Sequence, residues 1–430
     1  MTPRPKARVI DGRLTDAGFL ADPRLQRLFG VIDGDGEETR VVGGAVRNAL
    51  LGTAIADIDL ATTASPQLIA RRCAKAGLRT IPTGIDHGTI SVLVENMCYE
   101  ITTLREDIDT DGRHATVRFG HDFRADALRR DFTINALSVD RNGRLYDYAG
   151  GLDDIAHRRV RFIGNARQRI REDYLRILRL FRFHAAYGDG AIDKEAFKAA
   201  ILERGGLSRL SRERVQAEIM KLLVAPHAAS VVADMTHAGL LGPLVAGIVV
   251  PARLSAYIAV EAARNLAPDV LMRLAAACVL IPEDATRLRD MLRLSNLQET
   301  RLARAAAALS KLHGRAVPPP HGELVFFLYE QERRAALDGL LLAQAESGDS
   351  ANEKANERAW ASAYAFLRDT PEQRLPVSGA DIMARGFESG PAIGAVLKSL
   401  QAMWIRAGFP KDPEILAKLV DDALKAHRPR

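Results

Sequence analysis

Val42-Gly43-Gly44-Ala45-Val46-Arg47, followed ten residues later by Asp57-Ile58-Asp59-Leu60, decides how this chain reads. Paired glycines between a strand and a helix let backbone N–H groups approach a phosphate chain, and the helix start adds partial positive charge. Gly44 stands at that turn. Arg47, one turn into the helix, is placed to grip a phosphate oxygen. Residues two apart in a strand face the same side, so Asp57 and Asp59 are expected to present two carboxylates together. Such a pair is hard and oxygen-rich, which suits Mg²⁺ better than zinc. Alone, an Asp-x-Asp run is more often a solvated strand edge, and a Gly-Gly turn is usually only a turn. Their succession, strand–glycines–helix–strand, points to a nucleotide and its metal together. Asp57 and Asp59 are the candidate catalytic metal ligands.

Outward from this stretch, residues 40–150 read as mixed α and β. Short β-rich runs are expected at Arg40–Val42, Asp57–Ala61, Thr89–Glu95, Cys98–Thr103 and Phe132–Val139. Asp107–Gly120, polar and glycine-flanked, is expected to be a mobile loop. From about Asn165 helical periodicity takes over, with breaks at Gly188–Gly190, Gly205–Gly206 and Pro226. Pro318-Pro319-Pro320 reads as a stiff connector, and Glu346–Arg358 as a solvated loop or frayed helix. The expected class is α+β, with a mixed-sheet head over 1–150. Helical segments then follow over 151–225, 226–317 and 318–430.

The totals agree with this plan. A chain of 430 residues exceeds what one hydrophobic core usually serves, so two to four domains are expected. The formal net charge of +6 favours an anionic partner. Three separated cysteines make neither a disulfide framework nor a metal spacing, which fits a reducing cytoplasm. The first residues lack an apolar signal core, and no apolar run reaches the ~18 residues of a membrane span.

A second segment, Arg129-Arg130-Asp131-Phe132-Thr133-Ile134-Asn135-Ala136-Leu137, puts two arginines ahead of a β-rich run. The arginines suit phosphate, and Asp131 and Asn135 suit ribose hydroxyls. Together with Gly43–Asn48 and Asp57–Thr63, this segment resembles the DNA polymerase β-like nucleotidyltransferase superfamily. The branch it resembles holds bacterial tRNA nucleotidyltransferases and poly(A) polymerases. Asn48 stands where that family commonly has Asp, beside the site and not on a metal ligand. The resemblance implies a polymerase β-like head, then a helical neck, body and RNA-binding tail. It implies Mg²⁺ on Asp57 and Asp59, Arg130 on phosphate, and Glu100 as candidate third carboxylate. It also implies template-independent addition of CCA to the tRNA 3′ end from CTP and ATP, with poly(A) or partial CCA addition as the rival reading.

The third segment concerns the base. Glu172-Asp173-Tyr174-Leu175-Arg176 is expected to open a helix running through Arg179 and Arg182, with Asp173 and Arg176 on one face. Cytosine and adenine each show an amine donor beside a ring-nitrogen acceptor. A carboxylate accepts from the first while a guanidinium donates to the second. Uracil and guanine reverse the pattern. A surface ion pair is the ordinary fate of such residues. The segment resembles the family's Glu-Asp-x-x-Arg motif, which implies that Asp173 and Arg176 read the base while Arg179 and Arg182 reach phosphates. Leu210-Ser211-Arg212-Glu213-Arg214-Val215, with Glu218, resembles the helical neck that follows, and residues 375–394 resemble the family's carboxy-terminal segment. Some members of that family append a His-Asp phosphohydrolase domain; the only His-Asp dipeptide here, His121-Asp122, falls inside the head, so no such domain is expected.

Overall fold

The computed structural model describes residues 7–84, 88–111, 114–348, 353–386 and 390–427. The chain divides into two compact units, 1–244 and 245–430.

In the first unit a short hairpin, β1 (Arg8–Ile10) and β2 (Arg13–Thr15), leads to α1 (Pro23–Ile32). Asp22 caps α1 and Pro23 occupies its first turn, where a missing N–H costs nothing. Then come β3 (Thr39–Val42), α2 (Gly44–Leu51), β4 (Asp59–Thr62) and α3 (Pro66–Lys75). They are followed by β5 (Arg79–Gly84), β6 (Thr89–Val94) and β7 (Met97–Thr103). After β8 (Arg105–Asp111), β9 (His114–Phe119) and α4 (Phe123–Leu128), the chain adds β10 (Ser138–Asp140) and β11 (Leu145–Tyr146). Seven strands form one mixed sheet in the order β11-β10-β3-β4-β7-β6-β5. Only β4 and β7 pair in parallel, with Asp59 beside Glu100.

Three expectations need correction. Asp57 and Asp59 do not share a strand. Val42↔Asp59 is the last pair between β3 and β4, because β3 turns away at Gly43 and leaves residues 53–58 no ladder partner. Within the run expected to be a loop, Asp107–Asp111 and His114–Phe119 are strand, since β8 and β9 pair in antiparallel fashion, and residues 112–113 lie outside the described residues. Thr133–Asn135 form a turn of 3₁₀ helix inside the run expected to be strand.

The rest of the unit is helical: α5 (Gly151–Ala156), α6 (Ala166–Glu172), α7 (Leu175–Tyr187), α8 (Lys194–Leu202), α9 (Arg212–Leu223) and α10 (Ala228–His237). The Phe132 ring packs 4.7 Å from Phe162 and 5.3 Å from Phe183, which ties the Arg129–Leu137 segment to α7. Gly206 has no side chain because the Tyr174 ring lies against it. A Cβ there would sit 1.9 Å from that ring.

Past α11 (Gly242–Val245), the described residues are helices and connections from α12 (Pro251–Ala263) to α21 (Pro413–His427), with no strand. Glu353–Arg358, expected as part of a loop or frayed end, opens a 17-residue helix. A tail core gathers Ile382, Val396, Leu400, Val420, Ala423 and Leu424. Among the described residues no helix is long and apolar enough to cross a membrane.

Candidate active site

The glycine turn, the Arg129–Leu137 segment and the α6–α7 junction converge on one cavity of about 520 Å³. Its lining holds Arg47, Arg129, Arg130, Arg176, Arg179 and Arg214 against Asp59, Asp131 and Asp173. The surplus of three positive charges suits a polyanion.

Gly43 makes the turn at φ +68°, a left-handed conformation that costs other residues a steric clash. A Cβ there would also lie 3.0 Å from the Arg130 guanidinium. Gly44 starts α2 and lines the cavity. Arg47, one turn on, is only 6% exposed. Its guanidinium donates to Asn135 Oδ1, to Asn48 Oδ1 at 2.9 Å and to Tyr187 Oη at 2.9 Å, and it lies 4.2 Å above the Tyr187 ring. These partners are all neutral, and burial lowers its pKa. A buried cation without a bonded anion is a costly arrangement unless a ligand supplies one.

Asp131 accepts from Phe132 N at 2.9 Å, Asn135 Nδ2 at 3.0 Å and Arg179 Nε at 2.7 Å. Burial pushes its pKa up, but Arg179 and these hydrogen bonds outweigh that and hold it below the usual range. Arg129 and Arg130 both reach Asp126, which sequence reasoning missed. Asp126 is likewise held low, with the two arginines outweighing burial.

Asp59 lies at the cavity and Asp57 outside its lining. Both are exposed, and among the described residues neither makes an ion pair. Loss of water around the Asp59 carboxyl raises its pKa, Arg130 opposes the rise, and Asp57 adds to it. Glu100 is the register partner of Asp59 across the parallel β4–β7 pair, so the two project from one face of the sheet. Asp57 is thus a neighbouring charge to Asp59 and Glu100 its register partner, while among the described residues no three acidic, histidine or cysteine side chains are grouped closely enough to hold a metal ion. Carboxylate oxygens are the hard donors a divalent cation takes, and a cation beside Asp59 would offset the part of its rise that comes from Asp57.

At the α6–α7 junction the structure departs from the expected helix. Asp173 is extended (φ −153°, ψ 108°) between α6 and α7. Its Oδ1 takes the Leu175 N–H at 3.1 Å, satisfying a donor that the start of α7 leaves open. Its Oδ2 takes Arg214 Nη2 at 2.7 Å. Arg176 donates to Glu172 and, at 2.8 Å, to the Arg169 carbonyl. Burial raises the pKa of Glu172, and hydrogen bonds from Arg176 and Arg169 more than reverse it. Although Asp173 lies outside the helix, it and Arg176 line the same cavity. Arg182 turns instead to Glu218 of α9, beyond the lining residues, with its guanidinium 4.1 Å over the Phe183 ring.

The family described as "Poly A polymerase head domain" matches residues 39–161, and "Probable RNA and SrmB- binding site of polymerase A" matches 191–248. The mouse protein "CCA tRNA nucleotidyltransferase 1, mitochondrial" is 33% identical over 93% of this chain and 92% of its own length. The "CCA-adding enzyme" of Streptococcus sanguinis is 32% identical over 90% of this chain and 94% of its own. Among solved structures, the Bacillus stearothermophilus CCA-adding enzyme in complex with CTP superposes with a TM-score of 0.71 and 25% identity. That match covers 94% of this chain and 99% of the other. The chain belongs to the family of CCA tRNA nucleotidyltransferases.

Proposed function

We propose that this protein adds CCA to the 3′ end of tRNA, taking CTP and ATP in turn and releasing pyrophosphate. The observation that carries the reading is the cavity itself, where a buried Arg47 with only neutral partners faces the reading pair Asp173 and Arg176. A triphosphate supplies the anion that Arg47 lacks, and the base of the same nucleotide supplies the donor and acceptor that the pair lacks. Gly44, Arg47, Arg130 and Arg179 are assigned to the phosphates and ribose end. Arg182, bonded to Glu218, acts on that end through the packing of Phe183.

Asp57 and Asp59, with Glu100 as third candidate, are the residues that would hold Mg²⁺. When bound, the ion supplies charge neutralisation for an in-line displacement. The RNA 3′-hydroxyl gives up its proton to solvent and its oxygen forms a bond to the α-phosphorus as the bond to the bridging oxygen breaks and pyrophosphate leaves. The protein's part is placement: Arg47 and Arg130 bind the charged leaving group, and the reading pair fixes the base so that the α-phosphate meets the hydroxyl.

In this reading residues 1–150 are the head, 151–225 the neck, 226–317 the body and 318–430 the RNA-binding tail. The sheet's last strand at Leu145–Tyr146 supports the first boundary. A reducing cytoplasm as the working compartment is supported by Cys73, Cys98 and Cys278 all being free thiols.

The test is incubation with tRNA lacking its three terminal nucleotides, CTP and ATP together, followed by sequencing of the 3′ ends. The expected product ends in CCA and stops. A run of A, a stop after CC, or no extension overturns the reading.

A further inference from the structure

The reading pair carries a hazard in its own spacing. Asp173 and Arg176 are three residues apart, opposite in charge, and open on one cavity. A carboxylate and a guanidinium that open on one cavity readily pair with each other. Paired, each satisfies its neighbour and neither reads a base.

In the structure they do not pair. Among the described residues no ion pair joins Asp173 to Arg176. Asp173 is drawn to Arg214 at 2.7 Å, and Arg176 to Glu172 of α6. Arg214 comes from 41 residues further along the chain and itself lines the cavity. Its position is set by a packed helix. Ser211 caps α9 by accepting the Arg214 backbone N–H, and Glu218, one turn on, binds Arg182 of α7. The helix that carries Arg214 is therefore fastened to the helix that follows Asp173.

We infer that Arg214 is a positioning residue for base selection: together with Glu172 it holds the reading pair apart. The inference rests on Asp173 and Arg176 being that pair. Arg214 takes one contact on Asp173 Oδ2, and a carboxylate oxygen keeps a second lone pair for the base amine. Glu172 and the Arg169 carbonyl use only Nη1 of Arg176, leaving the other guanidinium N–H groups for the ring nitrogen. The pair Asp173–Arg214 is half exposed, and exposed pairs add little to stability. Its loss is expected in selectivity and not in melting temperature.

The test is a mutant cycle read by KM, kcat and the use of all four nucleotides. In Arg214→Ala, Asp173 falls onto Arg176, so KM for CTP and ATP rises together by roughly tenfold, the scale of one charge-assisted hydrogen bond. The poor use of UTP and GTP is unchanged, so discrimination drops by the same factor. Glu172→Gln frees Arg176 for the same collapse and gives the same signature. Because either change completes the collapse, the double variant is no worse than the worse single one. Arg214→Lys keeps a cation at the site and recovers part of the loss. If Arg214→Ala lowers the melting temperature, Arg214→Gln repeats the measurement at a folded fraction matched to wild type. Wild-type selectivity in Arg214→Ala and Arg214→Gln, or multiplicative losses in the double variant, overturns the inference. Asp173→Ala separates this failure from failure of the base-reading proposal: selectivity unchanged there removes the pair itself. Selectivity relaxed in Asp173→Ala but not in the Arg214 variants removes only the role of Arg214.

Discussion

Arg47 and Arg253 are both buried arginines, one in each unit of the chain, and they are treated in opposite ways. Arg253 donates to the carbonyls of Ala275, Ala276 and Val279 and to the Glu346 carboxylate at 2.6 Å. Its neighbours in the helical unit follow suit. Arg273 pairs with Glu261 at 2.7 Å, and Arg301 bridges Asp269 and Asp338. Burial works to lower the pKa of Arg301, yet its two aspartates reverse the sign and raise it. Arg47 has only neutral oxygens, and burial prevails. A cation that serves the fold is neutralised within the chain, whereas in the proposed reading Arg47 waits for an anion from outside. At the opposite sign, Asp57 and Asp59 are two acids without an ion-pair partner among the described residues.

If that distinction is right, substitutions in the two groups separate activity from stability. The largest effect is expected for Asp59→Ala, which removes a carboxylate from the proposed metal site. Nucleotide transfer should fall by roughly 10³-fold or more, since charge compensation in the displacement is lost. The melting temperature should hold or rise slightly, because repulsion with Asp57 is relieved. A steady-state incorporation assay beside a thermal melt checks both. Near-normal incorporation in the presence of Mg²⁺ would break the assignment of that site.

Arg253→Met comes next and should show the reverse. It removes every donor Arg253 gives to the Ala275, Ala276 and Val279 carbonyls and leaves Glu346 with His313 as its partner, and breaking a buried pair costs about 3–5 kcal/mol. Denaturant unfolding should show this loss, while CTP affinity of the folded fraction stays at the wild-type value. A loss of CTP binding at full stability would erase the contrast drawn here.

Much of this site was legible in the sequence, because its parts are local. The glycine turn, the Arg129–Leu137 segment and the Glu172–Arg176 segment each announce phosphate or base chemistry within a few residues, and all three line one cavity. What stayed hidden depends on distant parts of the chain. The strand expected at Asp57 starts at Asp59 because β3 leaves the sheet at Gly43, a fact of pairing and not of local pattern. The β8–β9 hairpin runs through Arg105-Glu106-Asp107-Ile108-Asp109, where charge masks the alternation that marks a strand. Asp173 looks like a helical residue by spacing, but its carboxylate is used to open α7 from an extended backbone. Arg214 and Glu218 were visible as part of a capped helix, yet their partners Asp173 and Arg182 lie 41 and 36 residues away. Asp126 was closer, only three and four residues before the arginines it restrains, and that spacing on a helix was the signal available.

The most direct test of the contrast is CTP binding to Arg47→Met, measured by calorimetric titration without RNA and compared with wild type at matched folded fraction. Methionine fills similar apolar space and removes a buried charge that has no bonded carboxylate. The melting temperature should therefore stay within a few degrees of wild type. CTP affinity should fall by roughly tenfold or more, the scale of one lost charge-assisted contact to phosphate. Unchanged CTP affinity would contradict the account, as would a loss of stability as large as that of Arg253→Met.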